Sequence, residues 1–149
     1  MKRSAAAYKS KSGFVFESYS KTTVGVWIGS EPIITFNNDT PVKKLGDTII
    51  RVLSESKTDV PHPKDSAEWK AIETPLLKIF NAKSFSSAMK GVMSCGIEEE
   101  GGFLSIKPTR NMGAKGGFVP ILGKEINIPS DSDSEAIGNA LLTGFELCK

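Results

Sequence analysis

A strand–loop–helix unit occurs twice in this chain, and that echo constrains the architecture more than any other feature. ITFNNDTPVKKLGDTIIRVL spans 34–53 and INIPSDSDSEAIGNALLTGF spans 126–145. Displaced by 92 positions, Ile34 falls on Ile126, Asp39 on Asp131, Thr40 on Ser132 and Gly46 on Gly138. The apolar positions coincide too: Leu45 with Ile137, Ile49 with Leu141, Ile50 with Leu142 and Leu53 with Phe145. In each copy a glycine stands one turn into the helix, beside the apolar stripe. Glycine costs a helix interior about 1 kcal/mol relative to alanine, so a close approach to a sheet or a partner helix is expected to compensate. Identities are few, and any capped amphipathic helix after a strand shares this layout, so duplication and coincidence both stay open. Either way, two similar helices are expected to cover one sheet, and the fold class is α+β, a mainly antiparallel sheet covered by helices with an internal strand–loop–helix repeat as one reading.

The remaining elements follow from periodicity and turn chemistry. Phe14, Val15 and Phe16 follow the Ser12-Gly13 turn signal as a strand. Val24, Val26 and Ile28 alternate with Gly25, Trp27 and Gly29, the period of a strand, and Gly29-Ser30-Glu31-Pro32 reads as a turn before a strand from Ile33 to Phe36. Thr40 and Pro41 suit the N-cap and first position of a helix, with Val42, Leu45, Ile49 and Leu53 on its buried stripe. Residues 54–64, containing Pro61-His62-Pro63, read as an extended surface loop.

A second helix is expected to start at Asp65, with Glu68 three residues on as a capping-box partner and Trp69 and Ile72 facing inward. Pro75 is expected to break or kink it. Ser84 is expected to cap a short helix with Phe85, Ala88, Met89 and Val92 inside. Ile97 and Phe103 to Ile106 flank Glu98-Glu99-Glu100-Gly101-Gly102 as a hairpin with an acidic tip. Residues 108–117 read as a basic, flexible loop, residues 118–121 and 125–128 as short strands, and Ser132 with Glu135 as the capping box of the last helix, whose inner face carries Ile137, Leu141, Phe145 and Cys148.

Composition excludes more than it suggests. A chain of 149 residues suits one domain. The net charge of +2 gives no general pull toward nucleic acid. No apolar run approaches the roughly 20 residues that span a bilayer. Lys2 and Arg3 open the chain as a signal peptide would, but the apolar stretch of about 7–15 residues is missing, so a cytosolic start is expected. Cys95 and Cys148 are expected to be free thiols.

Chemistry-bearing residues are sparse. His62 is the single imidazole and lies between two prolines, a poor place to hold a ring to catalytic tolerance. One histidine and two distant cysteines do not make a zinc site, so neither metal nor cofactor is expected. GAKGG at 113–117 lacks the order of a phosphate-binding loop, although Arg110 and Lys115 could touch an anion. Glu98, Glu99 and Glu100 form either a solvated turn that discourages edge pairing or a probe for a basic surface. Two functions outside binding stay open: a small enzyme acting on an anionic substrate around Arg110 and Lys115, and a structural subunit of a larger assembly.

SYSKTTVGV at 18–26, the 61–63 loop running into Trp69, and EINIPSDSDSEAIGNALLTGFELCK at 125–149 together resemble the contact-dependent growth inhibition immunity protein family (CdiI type) of Gram-negative bacteria. The likeness extends over roughly residues 8–149. It implies a single immunity-protein-like domain over 1–149 that is not an enzyme and works in the cytoplasm. Its implied partner is a cognate CdiA-type toxin C-terminal domain, a nuclease with an EndoU-like RNase as one candidate, whose active site it would block. The resemblance brings no catalytic residue, no direct nucleic-acid contact and no membrane contact. On it, Glu98, Glu99 and Glu100, with Asp65 and Glu68, become the candidate toxin contacts.

Overall fold

The computed structural model describes residues 1–149. The chain runs β1 (Arg3–Ser10), β2 (Gly13–Lys21), β3 (Trp27–Phe36), α1 (Val42–Ser54), α2 (Ser66–Ile79), α3 (Phe85–Ala88), β4 (Met93–Glu100), β5 (Phe103–Asn111), β6 (Phe118–Pro120), β7 (Ile126–Pro129) and α4 (Ser134–Leu147). All seven strands join one sheet in the order β3-β2-β1-β4-β5-β6, with β7 on the same outer edge of β5 as β6. Every strand pair is antiparallel.

This order exposes a symmetry larger than the sequence echo. β1-β2-β3-α1 and β4-β5-β7-α4 are the same meander-plus-helix unit, joined through the central β1–β4 pair. Even the loop hydrogen bonds repeat. The Thr40 hydroxyl donates to the Asn37 carbonyl at 2.8 Å, and the equivalent Ser132 hydroxyl donates to the Pro129 carbonyl at 2.6 Å. Neither hydroxyl caps its helix. The N-cap falls one residue later, on Pro41 without a side-chain bond and on Asp133, which accepts from the Ala136 N–H at 2.8 Å. The caps expected at Thr40 and at Ser132 are therefore corrected: both hydroxyls are already engaged in the preceding turn.

The alternation of β-strand side chains sorts the residues onto two faces. Ala5, Ala7, Phe14, Phe16, Cys95, Ile97, Leu104 and Ile106 meet Leu45, Ile49, Val52, Ile137, Leu141 and Phe145 from α1 and α4. That layer is the main core. The sulfurs of Cys95 and Cys148, both free thiols, lie 3.8 Å apart at its edge. On the opposite face Ala6, Tyr8 and Val15 meet Leu76, Ala88, Met89 and Val92. The second layer is thinner, for Leu76 is the one buried residue of α2.

Gly46 and Gly138 let α1 and α4 cross in direct backbone contact. A Cβ at Gly46 would overlap the carbonyl oxygen of Ser134, and a Cβ at Gly138 would overlap the carbonyl oxygen of Val42. Each glycine thus receives the first residue of the other helix, a reciprocal arrangement that the Ser134 hydroxyl reinforces by donating to Asp47.

Other expectations fail for identifiable reasons. β1 is hard to read as a strand because its Ala5-Ala6-Ala7 run has weak strand preference; small side chains there let helices pack on both faces. The alternating stretch from Val24 does not start a strand: residues 22–26 form a turn, in which the Val26 N–H donates to the Thr22 hydroxyl oxygen at 3.2 Å. The expected turn at residues 29–32 is instead inside β3, whose position at the sheet edge tolerates Pro32. α2 runs through Pro75 without a break. Residues 108–111 belong to β5, which leaves only 112–117 as a loop.

Alanine at Gly46 or Gly138 would gain about 1 kcal/mol of helix preference but must push the two helix backbones apart. Overpacking of that kind costs about 1–3 kcal/mol, with rigid carbonyls at the upper end. We expect each substitution to lower Tm by several degrees, at about 2–4 °C per kcal/mol for a chain near this size. Gly96→Ala, whose Cβ would lie 3.8 Å from the Lys107 Cβ, should change Tm far less. Differential scanning calorimetry of the three variants decides the matter, and an unchanged Gly46→Ala melt would refute the crossing as a constraint.

Candidate functional site: an aromatic pocket with a buried carboxylate

The acidic residues singled out from the sequence occupy two different elements. Glu98, Glu99 and Glu100 end β4, and their field is smaller than the run suggests. β4 pairs with β1, which sets Arg3 opposite Glu99. Glu98 lies 3.3 Å from Lys2 and 2.7 Å from Lys107, and Glu99 lies 3.8 Å from Arg3. Burial alone would push the Glu98 carboxyl up, but its bonds to Lys107 and Lys2 outweigh that and hold it below the usual range. Glu100 is exposed and makes no ion pair.

Asp65 and Glu68 stand at the start of α2, which packs chiefly on β3 and α3. The Asp65 carboxylate accepts from the Glu68 N–H at 2.9 Å as the N-cap. Glu68 itself is exposed. Arg110 and Lys115 are exposed on β5 and on the 112–117 loop. His62 is half-buried rather than a free surface ring: its Nδ1 shares a 3.1 Å hydrogen bond with the Thr22 hydroxyl, and the ring meets Trp69 edge-on at 5.5 Å.

Beside that contact lies a site that sequence reasoning missed. Between α2 and the thin-layer face of the sheet is a cavity of about 280 Å³. Tyr8 from β1, Glu17 and Tyr19 from β2, Trp27 from β3, Trp69 from α2 and Phe85 from α3 line it. Both tryptophans of the chain are among these residues. Trp69 and Phe85 form an open lip, 38% and 40% exposed.

Glu17 is the unusual member, only 4% exposed and without an ion-pair or hydrogen-bond partner. Period two explains its placement, since Val15, Glu17 and Tyr19 share one face. Its neighbour across the ladder on β3 is Ile33, and beyond a register shift Gly29 stands opposite Tyr19. Gly29 makes room for the acid, because a Cβ there would come within 2.5 Å of the Glu17 Oε2. Burial pushes the Glu17 carboxyl up to about 7. Burial, aided by the Glu17 charge, pushes the Tyr19 hydroxyl up to about 12. Tyr8 moves well upward, first by burial and then through Tyr19 and Glu17. The two hydroxyls lie 3.1 Å apart.

The signal for this site is present in FVFESYSK: a glutamate on the same face as Val15 and Tyr19 of a buried strand. The expected inward positions of Trp69 and Phe85 are corrected by their exposure. They border the open cavity instead of filling it.

This fold is shared with known proteins. The model of the CDI immunity protein family, CdiI, matches residues 3–148, and the chain belongs to that family. It is accordingly an immunity protein and not an enzyme. Solved structures that superpose on it include the following two. The Neisseria meningitidis protein of unknown function NMB0488 does so with a TM-score of 0.82 at 20% identity, over 100% of this chain and 96% of that one. A chain of the CdiA-CT/CdiI toxin and immunity complex from Yersinia pseudotuberculosis gives a TM-score of 0.80 at 18% identity, over 100% and 98% of the two chains. No curated protein matches the chain. No helix is long and apolar enough to cross a membrane.

The elevated Glu17 carboxyl makes stability depend on pH. The unfolded state ionises near the ordinary value of 4.5 and the folded state near 7, so between them the folded state holds more protons and stability falls as pH rises. Above pH 7 the penalty is complete, about 3 kcal/mol at 1.36 kcal/mol per pKa unit. Glu17→Gln should therefore stabilise the protein by up to that amount at pH 8, and the gain should vanish below the unfolded-state value. Urea denaturation across pH 4 to 8 measures it; a Gln variant with an unchanged pH dependence would contradict the assignment.

Proposed function

We propose that this protein binds a cognate CdiA-type toxin C-terminal domain in the cytoplasm and neutralises it by blocking its active site, with a nuclease, EndoU-like RNase among the candidates, as the toxin. The observation that carries the reading is the family match over residues 3–148. The Yersinia relative, which shares the fold over nearly its whole length, comes from a toxin and immunity complex, and this supports a partner of the same kind here.

The proposed mechanism is occlusion. A nuclease cleft that binds phosphate offers lysine and arginine side chains, and carboxylates can satisfy these in charge-assisted hydrogen bonds. The proposed contacts are Glu98, Glu99 and Glu100 with Asp65 and Glu68. Within this set Glu100 and Glu68 are the carboxylates free of internal partners, whereas Glu98 and Glu99 already pair with Lys2, Lys107 and Arg3. Glu100 and Glu68 are therefore the first positions to probe.

Co-expression with the cognate toxin domain should rescue growth, while a non-cognate toxin should still kill. Reversing Glu100 and Glu68 to lysine should leave Tm nearly unchanged, because both are exposed. It should slow association by about an order of magnitude at low salt and flatten the salt dependence, as rim charges act mainly on encounter. Stopped-flow binding at two ionic strengths reads both effects. Failure of rescue by folded protein would reject the function, and unchanged kinetics would move the contact surface elsewhere.

A further inference from the structure

The cavity beneath α2 has a chemistry that the neutralisation reading does not use. We propose that it receives one cationic side chain, an arginine or lysine, of the toxin domain, seated against Glu17 and between the aromatic walls. This inference deepens the proposed function and depends on it.

Three observations select that occupant. First, every charge the cavity can carry is negative. Glu17 and Glu73 line it, no lysine or arginine does, and a smaller adjoining cavity that also touches Glu17 adds Glu31. Second, the walls are rings. Tyr8, Tyr19, Trp27, Trp69 and Phe85 present aromatic surface, which attracts guanidinium and ammonium groups through the ring quadrupole, most strongly where water is excluded. Third, the size suits one side chain. About 280 Å³ falls just below the roughly 300–1,000 Å³ of clefts that enclose whole small-molecule ligands.

The burial of Glu17 explains why a cation would gain there. A carboxylate that reaches water only through the cavity and has no partner in its own chain is costly to ionise, and a cation seated in the cavity would give it a charge-assisted hydrogen bond away from bulk water. The lip fits an anchor pocket as well. Trp69 and Phe85 are large, partly exposed rings around an unfilled cavity, and buried anchors in such pockets carry a disproportionate share of interface energy. His62 and Gly29 are then positioning residues: His62 abuts the Trp69 ring, and Gly29 leaves space for the carboxyl.

The test is titration of the purified cognate toxin domain into wild-type protein, Glu17→Gln and Trp69→Leu at pH 8. Glu17→Gln keeps the side-chain shape and removes the charge. It should weaken binding at least tenfold, mainly through faster dissociation, while its melting temperature stays equal to or above wild type. Trp69→Leu should weaken binding in the same direction. Wild-type affinity should fall as pH drops from 8 to 6 and that of Glu17→Gln should fall less. The other ionisable groups around these cavities are Tyr8, Tyr19, Glu73 and Glu31, with His62 against the Trp69 ring, and all five are retained in the variant, so the difference isolates Glu17.

A double-mutant cycle should then find one toxin arginine or lysine whose replacement by glutamine costs nothing further in the Glu17→Gln background. If both variants bind with wild-type affinity while growth rescue persists, the pocket is not used and the immunity reading stands. If wild-type protein itself fails to bind the toxin, both proposals fall.

Discussion

The reciprocal crossing of α1 and α4 governs the rest of this molecule. Each helix lays its first residue on the other's glycine, so the two axes approach as closely as backbones allow. That contact places both helices on one face of the sheet. It also ties together the two halves of the chain, because α1 closes the first meander and α4 closes the second. The central β1–β4 pair joins the halves through backbone hydrogen bonds and the crossing joins them through packing. A defect in either connection would be felt by both halves.

One consequence is a division of labour between the faces. The α1–α4 face holds the continuous core and carries most of the apolar burial. The opposite face is covered by the segment between the halves, α2 and α3, in which a single residue of α2 is buried. α2 also carries an internal proline, which costs a helix about 3 kcal/mol. A helix held this lightly can stand away from the sheet, and the cavity around Glu17 is the space it leaves. The buried carboxylate is tolerable because the other face supplies the stability. A chain of this size can bury about two-thirds of its unfolded surface, enough to absorb a cost of a few kcal/mol at one position.

The parts legible in the sequence were those written locally. The helices from Val42 and Ser134 declared themselves through apolar spacing and through glycines whose helix cost required a packing explanation. Asp65 and Ser84 marked their helix starts by cap chemistry, and both side chains accept from the backbone N–H three residues on; the capping box expected of Asp65 and Glu68 forms only in that half, because the Glu68 side chain makes no return bond, whereas Ser84 and Ser87 complete theirs. The β4–β5 hairpin followed from its glycine tip. What remained hidden needed neighbours distant in the chain. The alanines of β1 look like no strand in isolation and become the centre of the sheet only between β2 and β4. Residues 29–32 carry turn chemistry, and edge position overrides it. The cavity draws on β1, β2, β3, α2 and α3, and no window of sequence shows five elements converging. Glu17 was the one local clue, a charge on a buried strand face.

Electrostatics distinguishes the two acidic features in kind. Glu98 and Glu99 are paired with cations of their own chain, so a partner that engaged them would have to compete with Lys2, Lys107 and Arg3, and would gain only the difference. Glu17 has no such competitor. Its interaction with an incoming cation would be new in full, apart from the loss of the proton it holds near neutral pH. A chain with net charge +2 is no general mimic of a polyanion, so long-range attraction to a basic cleft is weak and selectivity must come from local geometry. Exposed carboxylates such as Glu100 can bias an encounter, but many basic proteins would satisfy them equally. A ring-walled pocket with one buried carboxyl is harder to satisfy, because the cation must reach that group while the rest of the contact surface is engaged. An immunity protein that must recognise one toxin and ignore its relatives gains more discrimination from that kind of constraint than from surface charge.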